Sequence, residues 1–213
     1  MNETTPYDPG SPTTFETIPR RGSSRGEARR RSRNKAATSE PFRGLRMVLH
    51  ECDRRAAVVR SLSSLRWIAQ RGAEVLLFDG RRTRTSADGS LEAASKLFLF
   101  VTAVRAGSFP RMIDAAAAPL AVDRLAPQWI FALSADLAVD RFQVQALLAE
   151  LNELPEGSLL TPAVVGPDGK PCAGCGGAWL ARGSDVIRRP LEQLIARPSR
   201  SGAVRALQPF RVG

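Results

Sequence analysis

The chain predicts an α/β fold, a three-layer αβα sandwich around a mostly parallel central sheet, and three features carry that prediction. Apolar runs of strand length, Leu45–Leu49, Glu74–Phe78 and Trp129–Leu133, read as strands covered on both faces. Between them lie segments whose apolar residues recur at helical spacing, with glycine or proline at the joins. Strand, helix and strand in succession imply a parallel pair with a right-handed crossover, and their repetition implies helices on both faces of one sheet.

In order, residues 1–42 hold Pro, Ser, Thr, Gly and Arg with almost no periodic apolar residues, a composition that cannot offset its ordering entropy. They are expected to be disordered, and the body domain to span 43–213. Leu45–Leu49 is the first strand. Val58, Leu62, Leu65 and Ile68 then mark a helix that Gly72 caps. Glu74–Phe78 is the second strand, closed by Asp79-Gly80. Arg81–Asp88 is a polar loop. From Ser90 to Ala106, Leu91, Ala94, Leu97, Phe98, Val101 and Val104 share a helical face that ends at Gly107. The alanine run Ala115–Ala118 suits a short helix. After Trp129–Leu133, the residues Val144, Leu147, Leu148, Leu151 and Leu154 define another helix. Ser158–Val165 is a strand, Pro167-Asp168-Gly169-Lys170 a tight turn, and Gly177–Ala181 a further strand. Pro190 opens a helix through Ala196, and a last short helix covers Ala203–Gln208.

The stretch Ala126–Asp140 is the focus of the chain. Its strand ends at Ser134-Ala135-Asp136, so a carboxylate stands where a buried strand reaches the surface, and in open α/β sheets ligands bind beyond the carboxyl ends of the strands. Asp136 is the first candidate for chemistry; the alternative is that it only caps the following turn or helix.

With 213 residues there is room for one full domain and one appendage. Formal net charge is +10, but Arg20, Arg21, Arg25, Arg29, Arg30, Arg31, Arg33 and Lys35 against Glu27 carry most of it. The body is not unusually basic. That basic run suits a tether for nucleic acid or another anionic partner. A solvated tail, or a start codon placed upstream of the real domain, explains it as well. No apolar run approaches the roughly 18 residues of a membrane span, and the N-terminus lacks the apolar core of a secretory signal. Three cysteines make no disulfide framework, so a cytoplasmic location is expected.

From Ala126 onward the parts WIFALSADLAVD, FQVQALLAELNEL, SLLTPAVV, PDGKPCAG, GGAWLAR and PLEQLIARPSRSGAVRALQPFRV resemble, in order, the C-terminal half of the molybdenum cofactor guanylyltransferase-like nucleotidyltransferases. Those enzymes share the GT-A, or nucleotide-diphospho-sugar transferase, fold. Gly89-Ser90-Leu91-Glu92-Ala93-Ala94 is similar to their G-P-L-x-G-L segment, which touches the base. The resemblance implies transfer of a nucleotidyl group from GTP or another NTP to a phosphorylated acceptor, with Asp136 binding Mg²⁺. The chain departs from that family at its first loop. Where the family has a glycine-rich phosphate cradle, it has Val48-Leu49-His50-Glu51-Cys52-Asp53-Arg54-Arg55, without glycine. Arg54 and Arg55 are then the candidates to grip phosphate by side chain, or else face solvent.

The order of elements also looks like that of family 2 glycosyltransferases, which use a nucleotide-sugar. That resemblance implies Asp79 near the base, although Asp136-Leu137-Ala138 is not the family's D-x-D element. A metal-centred reading starts from the single histidine and the three cysteines: His50-x-Cys52 and Cys172-x-x-Cys175 are a possible tetrahedral zinc set, with free thiols as the alternative. Pro171-Cys172-Ala173-Gly174-Cys175 matches half of the zinc-deaminase motif, but the catalytic glutamate position of the other half is Cys52, which excludes that activity. The non-enzymatic alternative is a catalytically silent binding module with a basic tail.

Overall fold

The computed structural model describes residues 14–17, 41–50, 55–79, 102–105, 109–119, 126–172, 177–189 and 191–207. Its strands are β1 (Thr14–Thr17), β2 (Leu45–His50), β3 (Glu74–Asp79), β4 (Thr102–Arg105), β5 (Trp129–Ser134), β6 (Leu137–Ala138), β7 (Ser158–Val165), β8 (Ala178–Arg182) and β9 (Ile195–Ala206). Its helices are α1 (Arg55–Ala69), α2 (Phe109–Ala117), α3 (Arg141–Glu153) and α4 (Gly183–Arg188).

One sheet runs in the order β1-β4-β3-β2-β5-β8-β7-β9-β6. The parallel block is β4-β3-β2-β5, built on the expected β2-α1-β3 unit, with β4 added to it. Beyond β5 the sheet becomes mixed: β8 is antiparallel to both β5 and β7, while β9 runs parallel to β7. Only Ala135 and Asp136 link β5 to β6, although β8, β7 and β9 separate those two strands in the sheet. So short a link between distant positions requires the sheet to curl.

Strand residues alternate between two cores, as the pleat dictates. Leu45, Met47, Leu49, Val75, Leu77, Phe131, Leu133 and Leu180 pack with Val58, Leu62, Leu65 and Ile68 of α1 and Val144, Leu147 and Leu151 of α3. Val48, Leu76, Phe78, Ile130, Ala132, Trp179 and Ala181 pack on the other face with Met112, Ile113 and Ala115–Ala117 of α2 and Val186 of α4. The sandwich therefore has the three layers expected.

Local chemistry sets the helix ends. Gly72, at φ 101°, terminates the α1 turn in the left-handed region. Asp140 caps α3, accepting from Phe142 N at 2.8 Å and Gln143 N at 2.9 Å, while Gln143 Oε1 accepts from Asp140 N at 3.2 Å, a complete capping box. Gly183 opens α4 against the chain before β5; a Cβ there would lie 1.9 Å from Pro127 O.

Three helix assignments from sequence need correction. Thr102–Arg105, read as the end of a helix from Ser90 to Ala106, is strand β4, paired in parallel with Leu76–Asp79; 90–101 lie outside the described residues. Thr and Val, being β-branched, favour a strand, and pairing with β3 overrides the helical pattern. The helix expected from Pro190 through Ala196 is instead a single 3₁₀ turn at Leu191–Gln193 followed by the start of β9, while α4 ends before it at Arg188. The last helix, Ala203–Gln208, is also β9 as far as Ala206. Val204 and Ala206 are buried with Arg205 exposed between them, a period of two, and Ala203–Arg205 pair with Ala163–Val165. Within the segment read as disordered, Thr14–Thr17 pairs antiparallel with β4. Phe42, one residue before the expected domain start, is fully buried.

Candidate functional site

Because β4, β3, β2 and β5 are parallel, their carboxyl ends share one edge. Register places Asp79 beside Arg105 and His50 beside Ser134 there. Ala135 N donates to His50 O at 2.9 Å, which holds the link after β5 against the end of β2. Ser134 N donates to Gly177 O at 3.0 Å, so the loop entering β8 reaches the same edge.

Asp136 sits at the turn of this link. Its carbonyl accepts from Leu207 N at 2.8 Å, fastening the end of β9 to the site. Its carboxylate does not cap α3, since Asp140 does. Asp136 Oδ1 is buried and has no hydrogen-bond partner. An ionised carboxylate only accepts, so an unpaired buried oxygen asks for a cation or a donor from a ligand. Among the described residues no three His, Cys, Asp or Glu side chains gather as metal ligands. A Mg²⁺ or Mn²⁺ ion held by one or two carboxylates plus substrate phosphates needs no such cluster, and a hard oxygen donor suits it. Asp136 fits that role.

His50 is buried at the edge, and Asp79 closes β3, with its backbone placed but its side chain outside the description. Arg55 is the first residue of α1. Arg54, Gly89, Cys52, Cys175 and the basic run Arg20–Lys35 lie outside the described residues.

Of the four residues of the zinc reading, His50 and Cys172 are described; Cys172 is disulfide-bonded, and a disulfide sulfur offers no thiolate to a metal ion. Cys172 packs against the α1–α3 core, and its N–H donates to Val164 O at 2.9 Å.

Sequence reasoning gave Trp179 no role beyond its strand. It lies opposite Ala132, on the same sheet face as Val48, and its buried Nε1 has no partner. No sequence signal marks such an atom; only the register and the surroundings show it.

This curled mixed sheet with helices on both faces defines the nucleotide-diphospho-sugar transferase (GT-A) fold class. A mannosyltransferase from Pyrobaculum calidifontis, solved with GDP-Man and Mn²⁺, superposes with a TM-score of 0.52 at 8% identity, covering 82% of this chain and 60% of that one. The chain thus spans well under two thirds of that enzyme. Staphylococcus aureus TarS, residues 1–349, gives a TM-score of 0.48 at 10% identity over 76% of this chain and 60% of its own. Glucosyl-3-phosphoglycerate synthase from Mycobacterium tuberculosis, with Mn²⁺, UDP and phosphoglyceric acid, gives 0.48 at 13% identity over 80% and 73%. At such identities the likeness establishes the fold alone. No protein-family model and no curated protein matches the chain. Among the described residues no helix is long and apolar enough to cross a membrane.

Proposed function

We propose that the chain is a glycosyltransferase that uses a nucleotide-sugar, with Asp136 as the residue that receives the metal–diphosphate. The observation that carries the reading is the unpaired, buried Oδ1 of Asp136 at the carboxyl end of β5, where an α/β sheet takes its ligand. Two further points favour sugar transfer over nucleotidyl transfer of the molybdenum cofactor guanylyltransferase type. The mannosyltransferase that shares the fold was solved with a sugar nucleotide. The segment after β2 lacks the glycine loop that would cradle a triphosphate.

In this reading Asp79, ending β3 on the same edge, lies toward the base. Arg55, which begins α1, would grip the phosphates. A bound Mg²⁺ or Mn²⁺ would offset charge on the departing nucleoside diphosphate. Asp136 would hold that ion and the diphosphate in place, and the curled link is fixed by the backbone bonds of Ala135 N to His50 O and of Leu207 N to Asp136 O. In the transfer, the bond from the sugar to the diphosphate breaks, its electron pair leaves with the nucleotide, and an acceptor hydroxyl oxygen forms the new bond while its proton is released to solvent. The fixed edge supplies positioning and electrostatic complementarity.

The test is the melting temperature of the full chain against GDP-mannose, UDP-glucose, GTP and CTP, each with and without Mn²⁺, repeated with Asp136→Ala. A ligand of the native state raises the melting temperature by mass action. A metal-dependent rise with a nucleotide-sugar, lost in the variant, is expected. A rise with GTP or CTP alone would favour nucleotidyl transfer, and no rise with any of the four would overturn both.

A further inference from the structure

Four buried side-chain polar atoms among the described residues lack a hydrogen-bond partner: Arg46 Nη2, Arg182 Nε, Asp136 Oδ1 and Trp179 Nε1. The two arginine atoms are nevertheless ion-paired, Arg46 with Glu74 at 2.7 Å and Arg182 with Asp185 at 3.5 Å. What remains is one acceptor and one donor, both near the carboxyl end of β5. Trp179 faces Ala132 across the β5–β8 pair, two residues before Ser134, and Gly177 accepts from Ser134 N.

The Trp179 indole is more than nine-tenths buried, and buried indole N–H groups usually find an acceptor. Trp129 on the adjacent strand does so, donating to Asn152 Oδ1 at 3.1 Å. An unpaired buried donor is a standing cost, and one place where such a cost is retained is a ligand site. On this face of the sheet, at the edge beside Trp179, stand His50 of β2 and Ser134 of β5.

Building on the glycosyltransferase reading, we infer that Trp179 is a specificity residue whose Nε1–H donates to a hydroxyl oxygen of the transferred sugar. A sugar hydroxyl both donates and accepts. Asp136 takes the cation and diphosphate, so the donor one strand away on β8 falls to the neighbouring part of the same ligand.

The experiment titrates the full chain with GDP-mannose and with GDP, both with Mn²⁺, by calorimetry, and repeats both titrations on Trp179→Phe, which keeps the ring and removes the N–H. If UDP-glucose is the sugar nucleotide the parent binds, it and UDP replace the guanine pair. The variant should bind the sugar nucleotide about 5- to 10-fold more weakly and the diphosphate as the parent does, the factor expected for one neutral hydrogen bond. Equal weakening of both ligands, or of neither, overturns the assignment while leaving the glycosyltransferase reading intact. Failure of the parent to bind either sugar nucleotide overturns both. A readout independent of the variant's folding is the indole N–H resonance of Trp179 in the parent, identified by elimination with Trp67→Phe and Trp129→Phe. It should move with the sugar nucleotide and stay in place with the diphosphate; the same movement with both overturns the sugar contact.

Discussion

Arg46 and Glu74 stand opposite each other in the parallel register of β2 and β3, joined by Arg46 Nη2 to Glu74 Oε2 at 2.7 Å and Nε to the same oxygen at 2.8 Å. Arg46 is fully buried in a strand that is otherwise almost wholly apolar. Its Nη1 donates to Ala116 O and Ala118 O, satisfying carbonyls at the C-terminal end of α2. One guanidinium thus ties β2, β3 and α2 together at the end of the sheet away from the candidate site.

Arg46→Ala is therefore expected to cost about 3 kcal/mol or more, because it strands Glu74 and two helix-end carbonyls at once. Glu74→Gln should cost less, since Glu74 is partly exposed but its loss leaves a buried charge unpaired. Urea unfolding of both variants measures the difference. Both folded variants should bind nucleotide as the parent does, because the affected groups lie at the opposite edge.

Glu150 of α3 fastens β9. Its carboxylate accepts from Ser199 Oγ at 2.7 Å, Arg200 N at 2.8 Å, Ser201 N at 3.1 Å and Ser201 Oγ. Burial acts to raise its pKa, but the Ser201 hydroxyl, the Arg200 amide and the other donors outweigh it and hold the group at about 2, below its ordinary 4.5. Because the folded value is depressed, the stabilisation is complete above about pH 4.5 and is lost as pH falls towards 2. Glu150→Gln should lower the melting temperature at pH 7, by about 1 kcal/mol of stability for a solvent-accessible group. It should also flatten the melting-temperature profile between pH 4.5 and 2. An unchanged profile would show that the carboxylate contributes nothing through its charge.

The same strand shows what the sequence conceals. β2, β3 and β5 were legible because burial on both faces leaves a nearly continuous apolar run, interrupted in β2 only by Arg46 and preceded in β3 by Glu74. β9 was not: Arg197, Pro198, Arg200 and Ser201 are exposed, and the strand is held extended by pairing of Arg197 and Pro198 with β7 and by Glu150, about 50 residues away in sequence, which binds Ser199–Ser201. β4 was misread because Val104 continues a helical face whose competitor, pairing with β3, is not local. At the site, Asp136 stood out as a carboxylate ending a buried run. That Trp179 lacks an acceptor is a property of its surroundings, and no pattern of residues announces it.

Cys172 carries the third prediction. Dithiothreitol should destabilise the parent, and Cys172→Ser should be insensitive to it. By loop entropy, reduction costs about 2 to 5 kcal/mol, more for a longer closed loop. Peptide mapping under non-reducing conditions identifies the partner directly. Zinc bound in stoichiometric amount by the oxidised protein, and lost in Cys172→Ser, would restore the metal-centre reading.

Asp136 separates function from stability. A buried carboxylate oxygen without a partner is a cost to the fold, so Asp136→Asn, which keeps the shape and removes the charge, should leave the melting temperature of the free protein unchanged or slightly higher. If the carboxylate receives a metal and a diphosphate, the same substitution should abolish the Mn²⁺-dependent part of nucleotide-sugar binding and reduce turnover by about 100-fold or more, as losing a group aimed at developing charge does. The two measurements pull in opposite directions. Stability that falls together with binding would mark Asp136 as a structural residue whose partner lies among the residues around the edge, and would remove the main support for sugar transfer at this site.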